Sequence, residues 1–163
     1  MKYFCPTLED YIAKAKSDIE AHQRNGSWGS LFNAIQTVNA LVDVFLKGMN
    51  SKVGNAHKSN RDNQEKGLRR IENKLAEDGP DCLTDFECLV LVRSNCNILK
   101  HDRSKIGTVI VERPGTQLPM PMRAKFSHTA LIVEGRSGEI GEFAWVKLLG
   151  RALQHVESCI AHN

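Results

Sequence analysis

The sequence predicts a mainly helical protein, an antiparallel bundle with a small β-hairpin insert before its last helix. Three observations predict it. Apolar residues recur at helical spacing through four stretches before Ser104. The turn-forming pairs Asn25-Gly26 and Gly79-Pro80 fall between such stretches, and short connections make neighbouring helices fold back on each other. After Ser104 the chain becomes β-branched, then returns to helical spacing near Glu142.

The elements follow in order. Thr7 can cap a first helix with Asp10 three residues on, and Leu8, Ile12, Ala15 and Ile19 give it one apolar face. Asn25-Gly26 ends it and Ser27 can cap the next. Leu31, Ala34, Ile35, Val38, Leu41, Val42 and Phe45 make a broad apolar stripe, the pattern of a central helix. Residues 48–63 are polar with Gly, Asn and Ser, the composition of a loop. A third helix is expected over about 59–77, with Leu68, Ile71 and Leu75 inward, stopped by Gly79-Pro80. Asp81 or Thr84 can cap a fourth, which runs to about His101.

Thr108 to Val111 and Phe126 to Val133 read as strands, with a loop from Arg113 to Pro121 between them. Arg136-Ser137-Gly138 marks a turn that can lead into a short third strand. A last helix from about Glu142 should bury Phe143, Val146, Leu149, Leu153, Val156 and Ile160. The insert is too small for a core of its own and should lean on the bundle. The expected organisation is one domain over 1–163, with a bundle (1–103), a β-insert (104–141) and a closing helix (142–163).

Composition narrows the function. The 163 residues are 25% charged and 41% hydrophobic, as in a soluble globular domain. There is no apolar run of about 18 residues and no signal-peptide start, so no membrane partner and a cytoplasmic location are expected. Five cysteines without a C-x-x-C pair argue against a disulfide framework and a zinc ribbon. No Walker loop, nucleophile elbow, H-E-x-x-H or G-x-G-x-x-G occurs. No cofactor or metal is expected. The net charge of +3 conceals a pattern: segment 47–74 carries +5, segment 75–92 carries −5 and segment 93–105 carries +3. Two basic patches flanking an acidic stretch can attract phosphates, or be solvated helix faces.

The candidate site is the end of the fourth helix. With Arg93 at 0°, Asn97, Lys100 and His101 fall within a sector of about 100° on a helix of about 100° per residue. Arginine and lysine can hold a phosphate, the first bidentately. Asparagine can orient a ribose or phosphate oxygen, and histidine exchanges protons near neutral pH. RNA cleavage through the ribose 2′-hydroxyl needs a base, an acid and charge stabilisation, and no metal. The alternative is structural: cations at a helix C-terminus complement its dipole, which suits Lys100, His101 and Arg103.

Other constellations are weaker. Lys66, Arg70 and Lys74 form a stripe that can contact RNA backbone, joined by Lys100 and Arg103; Arg69 does not share its tight face. No aromatic is interleaved, so base stacking is not supported. His57 with Lys52, Lys58 and Arg61 reads as a solvated basic linker rather than a phosphate loop. His155, Cys159 and His162 share one face of the last helix, and three such donors can hold zinc. A fourth ligand is not visible, and a packed cysteine with exposed histidines is the favoured reading. His128 alternates with Phe126 and Ala130 and reads as half-buried. Pro119-Met120-Pro121-Met122 can dock a partner or pack as a connection.

Arg93-x3-Asn97-x2-Lys100-His101 near the end of a bundle helix resembles the motif region of HEPN-domain proteins, especially those whose motif helix is followed by a β-hairpin region and a last helix. The resemblance covers the motif helix closely, residues 105–162 in element order, and residues 1–80 only as helices of suitable number. It implies a helical bundle that dimerises with motif helices facing each other. It further implies a metal-independent ribonuclease of toxin or defence type, with Arg93 and His101 catalytic and Asn97 their polar partner. Active members of the family carry four to six residues between arginine and histidine. Here there are seven, which rotates His101 by about 100° on the helix. Many relatives resemble binders of nucleic acid or of partner proteins that do not cut. The alternative expectation is therefore a non-catalytic dimeric module for a partner protein.

Overall fold

The computed structural model describes residues 6–46, 61–101, 107–113, 128–135 and 138–162, with side chains for 6–46, 67–79, 81–96, 131, 141 and 143–162. The described chain is mainly helical.

Thr7 starts α1 (Leu8–Asn25) through a capping box: Asp10 N donates to Thr7 Oγ1 at 3.2 Å and Thr7 N donates to Asp10 Oδ2 at 2.8 Å. Gly26 ends the helix in the left-handed region, φ 61°, where a side chain would be strained. Ser27 then caps α2 (Trp28–Leu41), which continues as a π-helical turn, Val42–Leu46. The pairs His22–Ser30, Asp18–Thr37 and Tyr11–Phe45 step outward from this connection, so α1 and α2 are antiparallel.

Leu31, Ala34, Ile35, Val38, Leu41, Val42 and Leu46 are fully buried, which makes α2 a central helix. By length and composition Trp28–Leu46 would suit a membrane span. Its contacts with α1 and with the helices Asp85–His101 and Trp145–Ala161 give that apolar face another purpose.

Helix α3 (Arg61–Asp78) buries Leu68, Ile71 and Leu75. Its span is close to the expected 59–77, and its first residues overlap the polar stretch that reads as a loop. Gly79, φ 80°, ends it, and a 3-10 turn, Pro80–Cys82, leads to α4 (Asp85–His101). Thr84 rather than Asp81 opens α4: Glu87 N donates to Thr84 Oγ1 at 3.2 Å and Thr84 N donates back to Glu87 Oε2 at 2.8 Å.

Three strands, β1 (Gly107–Arg113), β2 (His128–Gly135) and β3 (Gly138–Ala144), pair antiparallel in the order β1-β2-β3. Arg113, expected in the loop, pairs with His128. Leu131 is fully buried opposite Phe143. At Gly141 a Cβ would approach Leu75 to 3.4 Å, so β3 passes close over α3.

Helix α5 (Trp145–Ala161) starts three residues later than the spacing suggests. Glu142, Phe143 and Ala144 are held in the sheet by pairing with Ile132, Leu131 and Ala130, so Phe143 belongs to the strand. Val146 is only half-buried, while Trp145, unnoticed in the apolar pattern, is completely buried. One core unites the five described α-helices with Leu131.

Candidate functional site

Cys88, Leu89, Leu91 and Val92 drive α4 into the core, and this places Arg93 at the edge of that core against α2. Arg93 Nε donates to Asn39 Oδ1 at 3.1 Å, and Nη2 donates to Asp43 Oδ1 at 3.1 Å. Asn39 Nδ2 donates to Asp43 Oδ2 at 3.0 Å, closing a triangle between α4 and the end of α2. The Arg93 side chain is 15% exposed and that of Asp43 41%. Burial lowers the guanidinium pKa below its usual value, and Asp43 offsets this only in part; arginine stays charged. One edge of the fork is engaged. Nη1 meets no partner among the described residues.

The remaining motif residues lie partly beyond view. Asn97, Lys100 and His101 belong to α4, but their side chains are outside the described residues, as is that of Lys66 on α3; Arg103 lies outside altogether. So do Lys52, His57, Lys58 and the 119–122 segment, together with the side chains of Arg61 and His128. Asn95, one turn after Leu91, is buried and donates to Leu91 O at 2.9 Å.

Lys74 departs from the expected RNA stripe. Its Nζ donates to both oxygens of Glu87, at 3.1 and 2.8 Å, and to Cys82 O at 3.3 Å. The turn between α3 and α4 brings Glu87 opposite it, so its charge fastens two helices instead of facing a ligand. Arg70 is exposed, and so is Arg69 beside it. The free basic surface of α3, among its described side chains, is therefore Arg69 and Arg70.

Two buried polar groups on α1 went unread in the sequence. Asp18 is 9% exposed and accepts from Thr37 Oγ1 and Lys14 Nζ. His22 is buried at the α1–α2 corner with Nδ1 2.9 Å from Ser30 Oγ. Burial pulls its pKa below the usual imidazole value, against a hydrogen bond at Ser27. The signal was present: both fall on the α1 face carrying Ala15, within a turn of each other.

On α5, Arg151 Nε donates to Asp85 Oδ1 at 2.7 Å and Nη2 to Leu83 O at 2.6 Å, tying α5 to the start of α4. Next to it His155 packs on Phe86, centroids 5.2 Å apart, and its Nε2 is 3.3 Å from Cys159 Sγ. Burial lowers the His155 pKa against the pull of Asp85, and burial raises that of the Cys159 thiol. A shallow groove of about 260 Å³ is lined by Asp81, Cys88, Phe143, Lys147, Leu148 and Arg151. It does not include Arg93, and its charges are already paired across it: Lys147 faces Asp81 at 3.9 Å and Arg151 holds Asp85.

Comparison with protein-family models, curated proteins and solved structures finds no match to this chain.

Proposed function

We propose that this chain is a HEPN-like bundle with a β-hairpin insert, directed at RNA and working as a homodimer, in which Arg93 holds a backbone phosphate beside Asn97 and His101. The observation that supports it is the setting of Arg93. Asn39 and Asp43 fix one edge of the guanidinium, and this costs the group its rotamer freedom before any ligand arrives. The outer edge keeps donors in a planar fork that suits phosphate. Asp43 lowers the net charge of the patch, so affinity for a lone phosphate is weak and RNA binding needs further cations. Arg70 and Arg69 on α3, with Lys66, Lys100 and Arg103, are those cations.

If the site cuts, His101 transfers the proton and Arg93 stabilises the phosphate. The ribose 2′-hydroxyl attacks the adjacent phosphorus, the bond from phosphorus to the next 5′-oxygen breaks, that oxygen leaves as a protonated 5′-hydroxyl, and the other product carries a 2′,3′-cyclic phosphate. The test is a cleavage and binding assay on single-stranded RNA in the presence of a chelator. His101→Ala should slow cleavage by about 100-fold or more, the size of general acid–base catalysis. Arg93→Lys keeps the charge and loses the fork, so it should weaken RNA binding while the fold survives. RNA affinity unchanged by Arg93→Lys and by Arg93→Ala overturns the reading.

A second reading has an observation of its own. Trp28 and Phe32, 53% and 38% exposed, stand one turn apart on α2, and an apolar surface pair suits a protein partner. In that reading the Arg93 triangle is only a fastening. A chain that ignores RNA and loses stability on Arg93→Ala favours it.

A further inference from the structure

The last helix carries a second chemical cluster that the reading of Arg93 does not use. His155, Cys159 and His162 lie within a sector of about 60° on a helix of about 100° per residue. Cys159 Sγ is 3.3 Å from His155 Nε2. His162 Nδ1 is 2.8 Å from Ser158 O. A backbone carbonyl can only accept, so Nδ1 of His162 carries the proton and its Nε2 keeps a lone pair.

We propose that His155 Nε2, Cys159 Sγ and His162 Nε2 form a site for a borderline-soft divalent cation of the zinc class. Zinc takes histidine nitrogen at about 2.0–2.1 Å and thiolate sulfur at about 2.3 Å, so a tetrahedral angle sets the nitrogen–sulfur separation near about 3.5 Å. The observed 3.3 Å is close to that bite. An ion that prefers two ligands in a line would need the pair at about 4.3 Å, summing the same bond lengths, and does not fit. Hard oxygen-seeking cations do not match a donor set of two imidazoles and a thiolate.

The three donors are not yet gathered: among the described residues no three His, Cys, Asp or Glu side chains are close enough to hold an ion. His162 is exposed at the end of α5, and side chains three residues apart on a helix are neighbours. Turning its ring toward Cys159 exchanges the bond to Ser158 O for the metal and closes the site. Binding replaces the Cys159 thiol proton, which leaves to solvent, and a water takes the fourth position. The site is on α5 and makes no use of Arg93, so it stands or falls apart from the RNA reading.

The test uses the full chain, reduced, with Co²⁺ as the spectroscopic probe and Zn²⁺ measured by competition with a chromophoric chelator. One equivalent of Co²⁺ should give the visible bands of a tetrahedral ion and a thiolate charge-transfer band in the near ultraviolet. His155→Gln and Cys159→Ser should each remove both. His162→Gln should weaken Zn²⁺ by more than about 10-fold, the loss seen on removing even an outer partner of a metal site. Cys82→Ser should change nothing. If Cys159→Ser fails to fold by circular dichroism, the two histidine variants decide. Absence of cobalt bands in the unaltered chain, bands that survive Cys159→Ser, or an affinity indifferent to His162→Gln would each overturn the site.

Discussion

Glu87 and Arg93 stand on the same helix, each largely buried and each bound to a different neighbour, yet their surroundings treat them in opposite ways. Burial pushes the Glu87 carboxyl up, but donors from Lys74 and Thr84 outweigh it and its pKa ends below the ordinary value. Both of its oxygens are engaged. Burial pushes Arg93 down, and here Asp43 does not make up the loss. Nη1 has no partner among the described residues. An ion that its neighbours overcompensate is a fastening. An ion left undercompensated at the rim of a core has binding capacity to offer a ligand.

The largest effect should come from Glu87→Ala. It removes the reciprocal cap of α4 and leaves Lys74 with Cys82 O alone. With the Glu87 side chain 10% exposed, the loss should reach about 3 kcal/mol, since breaking a buried pair strands the other charge. Urea unfolding measures it. Arg93→Ala should cost less, about 1–2 kcal/mol, because the more exposed Asp43 regains water. Its larger consequence should be lost RNA affinity. If Arg93→Ala proves the more destabilising of the two, the contrast is broken and Arg93 is the fastening.

The contrast was only half legible in the sequence. Thr84-x-x-Glu87 is a capping pattern visible without coordinates. What it could not reveal is that the Gly79–Leu83 turn folds α3 back so that Lys74 meets the same carboxylate. Helical spacing put Lys74 in line with Arg70, and spacing describes one helix at a time. Arg93 stood out as a charge after an apolar run, but Asn39 and Asp43 are partners brought by tertiary packing. The hint was two polar residues four apart, Asn39 and Asp43, along the margin of the apolar stripe that runs from α2 into the turn after it. The helices themselves were readable because caps and glycines act locally: Thr7, Gly26, Ser27 and Gly79 all do what their types dictate. The start of α5 was not, because cross-strand pairing held Phe143 against its helical spacing. Asn97 and His101 were singled out by type, and their side chains lie outside the described residues.

Acid should separate the two ends of α4 by a smaller margin. A carboxylate whose folded pKa lies below its ordinary 4.5 stabilises fully above that value, and the contribution fades as pH falls through the folded value. Histidines with folded pKa below 6.5 act with the same sign: His22 and His155 are kept neutral, and their stabilisation is lost as pH falls below 6.5. Stability measured against pH should therefore decline in two stages. Glu87→Gln should flatten the lower stage. Arg93→Ala should shift the whole curve without changing its shape, since an arginine does not titrate there. A curve for Glu87→Gln that keeps the lower stage intact would show that other carboxylates set it.

The smallest effect on the fold, and the sharpest test of which charges face a ligand, should come from α3. Arg69 and Arg70 are exposed and make no ion pair among the described residues, whereas Lys74 is tied to Glu87. Reversing both arginines to glutamate should leave stability within about 0.5 kcal/mol, as for surface positions without partners. On the RNA reading it should weaken binding to all sequences alike, because phosphate contacts carry no sequence information. Each lost contact should also reduce the steepness with which affinity falls against salt, by about 0.7 per phosphate for a single strand. Lys74→Ala should do the reverse: it should destabilise the chain and leave the salt slope of the folded fraction unchanged. Fluorescence anisotropy at several salt concentrations, beside urea unfolding, reads both quantities on the same variants. A salt slope that changes with Lys74→Ala and not with the arginine reversals would put the RNA on the Lys74 face of α3 and invert the assignment of fastening and binding charge.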